Sequence, residues 1–135
     1  MGNKIVKSEE EWKKELTSEK FRILRKRRTE PAGTGKLLYN KNKGTYLCSG
    51  CEQELFSSEN KFDSGSGWPS FTQAISPENV EFKEDKSFLK KRTEVLCSRC
   101  GGHLGHIFDD GPKPEGKRFC INSLSLDFKK NPQIS

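Results

Sequence analysis

The chain is poor in apolar residues and has no long run of them. Only 30% of the residues are hydrophobic, against 33% charged, and no stretch approaches the roughly 20 apolar residues of a membrane-spanning helix. The N-terminus has no apolar h-region of the kind that marks a signal peptide. Its Met1-Gly2-Asn3-Lys4-Ile5-Val6 start has no serine or threonine at the sixth position, which a myristoylation signal requires. The cysteine count is odd, five in all, which argues against a secreted framework of paired disulfides. These absences lead to the expectation of a cytoplasmic, membrane-free protein whose thiols bind metal or do redox work.

Length and charge narrow the reading further. The 135 residues suit one domain. With so little apolar material its core must be modest, and such domains often need a metal or a disulfide as a staple. The net charge of +6 is spread along the chain apart from Arg25-Lys26-Arg27-Arg28, at the end of an expected helix where cations suit the macrodipole. It is read as a solvated lysine excess, with no nucleic-acid partner expected.

What is present is sulfur in two settings. Cys48-Ser49-Gly50-Cys51 and Cys97-Ser98-Arg99-Cys100 are CxxC turns, and together they suggest a closed tetrahedral zinc site made by Cys48, Cys51, Cys97 and Cys100. The long separation of the pairs means the metal would clip two distant hairpins. A site filled by four thiolates has no position for substrate, so it is assigned to structure. Two redox-active CxxC disulfides are the alternative, and neither pair shows the thioredoxin-like βαβ context.

The expected elements are short. Ser8 and Glu11 have capping-box spacing before a helix with Trp12 and Leu16 on one face. A second helix is expected from about Ser18, with Phe21 and Leu24 inward, ending before Glu30-Pro31. Beyond Lys36, strand-like runs predominate. Leu37–Tyr39 and Thr45–Leu47 read as one hairpin, Val80–Phe82 and Phe88–Lys90 as another, and Leu104–Phe108, Arg118–Asn122 and Leu124–Phe128 as further strands. The 63–71 segment reads as irregular. The expected fold is mainly β, two packed antiparallel sheets with short N-terminal helices: a helical cover over about 8–30 and a β core over about 36–128, all one domain over 1–135.

Cys120 is the fifth cysteine. On a strand, Phe119 and Ile121 face one way while Arg118, Cys120 and Asn122 face the other. A thiol that shares its face with a guanidinium is a candidate nucleophile; a small buried core residue is the alternative. The only histidines, His103 and His106, are candidates for moving protons. Trp68, in a Gly-Trp-Pro turn, is either a loop anchor or an aromatic wall for a sulfur-bearing group.

Gly67-Trp68-Pro69-Ser70-Phe71, His103-Leu104-Gly105-His106-Ile107-Phe108 and Arg118-Phe119-Cys120-Ile121-Asn122-Ser123, in this order and with both CxxC pairs, resemble the B-type methionine sulfoxide reductases in their zinc-binding form. The resemblance runs from the first helix to Phe128. It implies a β-tent-like fold and an oxidoreductase that repairs oxidised proteins by reducing methionine-R-sulfoxide, bound or free; one enzyme serves each sulfoxide epimer. It places Cys120 at the nucleophile, and His103, His106, Asp110, Arg118 and Asn122 at positions that orient the sulfoxide and handle protons. Trp68 and Phe71 fall on the substrate-binding side. One structural zinc ion, a thiol reductant such as thioredoxin, and a monomeric state are expected with it.

The chain departs from many relatives at Ser66, where they carry a resolving cysteine. With four cysteines on zinc and one catalytic, none remains for an intramolecular disulfide, so an external thiol is expected to regenerate Cys120. A zinc-ribbon binding module and a thiol redox sensor are the rival readings.

Overall fold

The computed structural model describes residues 4–86 and 91–131. Its helices begin where expected. The Ser8 hydroxyl accepts from the Glu11 amide and the Glu11 carboxylate accepts from the Ser8 amide, opening α1 (Glu9–Glu15). Thr17 caps α2 (Ser18–Lys26) in the same manner with the Lys20 amide. Trp12, Phe21, Ile23 and Leu24 are buried, so the two helices lay one apolar face on the rest of the chain.

Among the described residues nine strands follow: β1 (Gly44–Cys48), β2 (Glu54–Ser57), β3 (Lys61–Phe62), β4 (Ser70–Phe71), β5 (Val80–Asp85), β6 (Arg92–Cys97), β7 (His103–Phe108), β8 (Arg118–Ile121) and β9 (Leu126–Lys130). They form a three-stranded sheet, β2-β1-β9, and a six-stranded sheet, β3-β4-β8-β7-β6-β5. Every pairing is antiparallel. The expected fold class, mainly β with two antiparallel sheets and two short helices, is what forms.

The core lies where the sheets face each other. Tyr46 and Phe56 of the small sheet meet Phe71 and Phe119 of the large one. Phe56 stacks on Phe71 with ring centroids 4.4 Å apart, and Tyr46 meets Phe71 edge-on at 5.1 Å. Leu55, Val95, Leu104, Ile121 and Leu126 complete it, all buried. Since the sequence offers few apolar residues, the aromatic rings supply much of this area.

Two strand assignments differ from expectation, and a third lies outside the described residues. Leu37–Tyr39 is not a hairpin arm: the segment turns, with the Leu38 amide donating to the Gly35 carbonyl and the Asn40 amide to the Leu37 carbonyl. Both edges of β1 are already occupied, by β2 and β9, which leaves no ladder for it to join. The strand expected at Phe88–Lys90 lies outside the described residues; β5 pairs instead with Arg92–Cys97. The final strand starts at Leu126, because the Ser123 and Leu124 amides donate to the Glu30 carboxylate (2.9 Å each) rather than to a neighbouring strand.

Candidate active site and metal centre

The two CxxC turns meet at one end of the molecule. Cys48 closes β1 and Cys51 precedes β2; Cys97 closes β6 and Cys100 precedes β7. Each turn is held by its own backbone: the Glu52 amide donates to the Cys48 carbonyl and the Gly101 amide to the Cys97 carbonyl. Gly101 has φ of 74°, a left-handed value that glycine adopts at little cost. The four Sγ atoms lie within 4.8 Å of one another. Cys48 and Cys100 are 3.6 Å apart, as are Cys51 and Cys97.

These spacings test the fit of a metal. A disulfide needs about 2.0 Å, whereas four sulfurs held tetrahedrally at about 2.3 Å from zinc stand about 3.8 Å apart. Hydrogen bonding with Cys100 pushes the Cys48 thiol up and holds the Cys97 thiol down. The Gly50 amide and the Gln53 side-chain amide also point at Cys48 and Cys97 sulfurs. The site joins the β1–β2 hairpin of one sheet to the β6–β7 hairpin of the other. The helices sit on it: Arg25 donates to the Cys100 carbonyl at 2.8 Å.

The second site is a cleft of about 220 Å³ on the face of the large sheet away from the core. Its walls include Cys120, Trp68, His106, Arg118, Ser66 and Asn122. Alternation along β8 places them: Phe119 and Ile121 are buried, while Arg118 and Cys120 are partly open and line the cleft with Asn122. Across the sheet Cys120 is in register with Ser70 and His106. Beside it, a Cβ on Gly105 would lie 2.0 Å from the Cys120 carbonyl oxygen, so β7 approaches β8 at a distance only glycine permits.

Opposed forces act on the Cys120 thiol. Burial pushes it up; the Arg118 charge and a hydrogen bond from Ser66 pull it down, and the net direction is upward. Arg118 is fixed on two sides. Asp110 grips it through two oxygens at 2.8 and 3.2 Å, and its guanidinium lies 4.4 Å from the centre of the Phe108 ring. That same Arg118 holds the exposed Asp110 carboxyl below the usual carboxylate range. The Trp68 indole N–H donates to the Glu30 carbonyl at 2.9 Å, and the Glu30 amide donates to the Asn122 side-chain oxygen at 3.0 Å. Glu30 therefore ties both side walls of the cleft to the end of the helical cover.

The two histidines reach one face through a bulge. In a regular strand, residues three apart point to opposite faces. Here Val95 pairs with Gly105 but Leu96 pairs with His103, so Leu104 is an extra residue in β7. The rings consequently meet edge-on with centroids 5.5 Å apart. Each imidazole rests on a buried carboxylate. His106 Nε2 is 2.8 Å from Asp85, which Arg92 also contacts. His103 Nδ1 is 2.6 Å from Glu94, which Arg27 grips at 3.0 and 2.7 Å.

Some expected site residues do not converge on the cleft. Phe71 is wholly buried in the core stack, one residue behind the cleft-facing side of β4. His103 lies behind His106, and Asp110 sits outside, against Arg118. Residues that sequence reading passed over are also here: Thr29, Arg92 and Phe108 line the cleft, while Glu30, Asp85 and Glu94 support it. The Glu30-Pro31 pair read only as a helix breaker, and no local pattern marks a carboxylate whose partner is more than 90 residues away.

A model of the SelR domain matches residues 16–130. This chain belongs to the SelR family. It is 60% identical to the peptide methionine sulfoxide reductase MsrB of Methanosarcina barkeri over 130 residues, 96% of this chain and 92% of that protein. It is 56% identical to the MsrB of Leptospira interrogans, over 96% of this chain and 99% of the relative. It is 51% identical to mouse mitochondrial methionine-R-sulfoxide reductase B3, across 93% of this chain and 49% of the mouse protein. Among solved structures, the "Yippee-like" domain of Mis18 has a similar fold, with a TM-score of 0.52 and 17% identity over 67% of this chain and 99% of that one. The SelR match spans both the cysteine quartet and the cleft.

Proposed function

We propose that the cleft reduces methionine-R-sulfoxide to methionine with Cys120 as nucleophile, and that Cys48, Cys51, Cys97 and Cys100 hold one structural zinc ion. The chain is a B-type methionine sulfoxide reductase, an oxidoreductase. The observation that carries the assignment of roles is the lone thiol beside an imidazole and a fixed guanidinium, opposite an indole.

Chemistry follows from that placement. The Cys120 thiolate attacks the sulfoxide sulfur, and the S–O bond breaks as the oxygen is protonated. Methionine departs as the thioether, reduced by two electrons, and Cys120 retains the oxygen as a sulfenic acid. His106 supplies the proton to oxygen and recovers one from the incoming thiol. With Nε2 on Asp85, its Nδ1 is the ring nitrogen that exchanges it. Arg118, with Asp110 behind it, stabilises thiolate and developing oxyanion. Trp68 packs the methyl and Asn122 lies on the polar side; opposed walls of this kind separate one epimer from the other. Zinc adds no step: its thiolate ligands would staple the two hairpins, a folding contribution.

Regeneration uses an external thiol such as thioredoxin. Ser66 contacts Cys120, so the nearest candidate for a resolving group is a hydroxyl. One thiol attacks the sulfenic acid to give a mixed disulfide and water; a second releases Cys120 and carries away the disulfide. The proposed setting is a reducing cytoplasm, which favours five free thiols, and the whole of 1–135 is read as one reductase domain acting as a monomer. Among the described residues no helix is long and apolar enough to cross a membrane.

The test is consumption of racemic methionine sulfoxide with dithiothreitol. Half should disappear, all of it the R epimer, and the Cys120→Ser variant should consume none while retaining zinc. Turnover by that variant would end the nucleophile assignment. Mass spectrometry after one turnover without reductant should show a sulfenic acid or its adduct; an internal disulfide to Cys120 would overturn the external-thiol step.

A further inference from the structure

The reaction above uses one histidine directly, yet the fold commits a second buried charge system to the other. Glu94 is fully buried. Its two oxygens are taken by Arg27, at 3.0 and 2.7 Å, and by His103 Nδ1, at 2.6 Å. A buried carboxylate removed from water is costly, and the group must be paired on all sides to persist. An apolar side chain there would fill the same space without that cost. Arg27 adds a second oddity: it closes α2 at φ 55°, ψ 39°. Glycine is the usual residue at a left-handed helix end, and an arginine there carries strain. The left-handed turn is where the guanidinium leaves the helix to grip Glu94.

His103 is equally singular. It is 2% exposed, its Nδ1 is held, and its Nε2 is sealed from solvent without a hydrogen-bond partner. Its ring abuts His106, which lines the cleft with Cys120. A neutral imidazole carries its one N–H on either nitrogen, and the bond made by one decides the state of the other. A carboxylate accepts only, so it demands the N–H at Nδ1.

We propose that Arg27 and Glu94 are positioning residues for the sulfoxide reaction: Arg27 clamps Glu94, Glu94 fixes His103 as its Nδ1–H tautomer, and the locked His103 ring orients His106 against the cleft. This rests on the function proposed above. The groups facing His103 are Glu94 from β6, Arg27 from the end of α2 and His106 from its own strand. Burial holds the His103 imidazolium form down most strongly; Glu94 opposes that, while His106 and Arg27 add to it. The balance holds the His103 ring below the usual imidazole range.

The relay makes two predictions of opposite sign. Glu94→Gln removes the group that favours the protonated ring, and Arg27→Gln removes one that disfavours it. In nitrogen-15 NMR of the full chain, His103 should carry its proton at Nδ1. Its titration should move to lower pH in Glu94→Gln and to higher pH in Arg27→Gln. Both variants should lose kcat, by about 10- to 100-fold for Glu94→Gln, with KM little changed. Arg27→Lys should recover only part, because an ammonium cannot copy the two-pronged grip. Should Glu94→Gln not fold, the half-exposed Arg27 carries the test alone. A wild-type His103 protonated at Nε2, or an Arg27→Gln protein with unmoved His103 shifts and full kcat, overturns the relay. Absence of sulfoxide turnover in the wild type would instead remove the function on which it rests.

Discussion

The molecule keeps its cysteine sulfur in two places under opposite conditions. At the hairpin end, four thiols crowd within 4.8 Å, so each one's charge is a problem for the next. In the cleft, one thiol stands with a guanidinium, an imidazole and a hydroxyl as neighbours. On the proposed function the same atom type is structural in the first setting and reactive in the second. Surroundings, not the cysteine itself, set the difference: sulfur among sulfurs calls for a cation, while a cation beside sulfur offsets the burial that holds its proton.

That contrast is open to attack from both sides. The largest effect should come from Cys97→Ser or strong chelation, which removes coordination worth about 10–16 kcal/mol in small zinc domains. Circular dichroism should show loss of the fold, and activity should fall with it; a chelated protein that stays folded and active would erase the distinction between the ends. Next is Cys120→Ser, expected to cut turnover by about 10⁴- to 10⁶-fold with the melting temperature nearly unchanged.

Phe71→Ala comes third. It removes the ring that stacks on Phe56 and meets Tyr46 edge-on, and should cost about 3–5 kcal/mol in denaturant unfolding. A raised KM at unaltered stability would put Phe71 in the cleft instead of the core. Smallest is the electrostatic tuning of Cys120. Burial sets its thiol above the ordinary value of about 9, so the reactive thiolate is a minority at pH 7 and kcat/KM should climb as pH rises towards and past 9. Arg118→Met removes the charge that lowers the thiol, so it should move this rise to higher pH and cost about 10- to 100-fold at pH 7. A profile flat from pH 6 to 9 would mean that Arg118 and Ser66 overcome burial altogether.

How much of this was legible depended on the range of the interaction. The Ser8–Glu11 box, the helix start at Ser18 and the Phe119/Ile121 against Arg118/Cys120 alternation are written within a few residues, and all three form as read. The quartet was legible because each CxxC turn fixes two ligands locally. The supports of the cleft were not. Glu30, Asp85 and Glu94 look like any surface acid in a chain that is one-third charged, and only the fold reveals that they are buried. The meeting of His103 with His106 was hidden for a different reason. It depends on Leu104 being surplus in its ladder, and strict two-residue alternation would have sent the rings to opposite faces.

Ser66 has a consequence for timing. A partner sulfur in the same chain would quench the sulfenic acid at a rate independent of what else is in solution. With oxygen at that place, and regeneration by an external thiol as proposed, the interval before the next cycle is set by an encounter. Throughput then scales with how much donor is nearby, and a starved catalyst waits with its oxidised sulfur open to further oxygen, a step that is not readily undone.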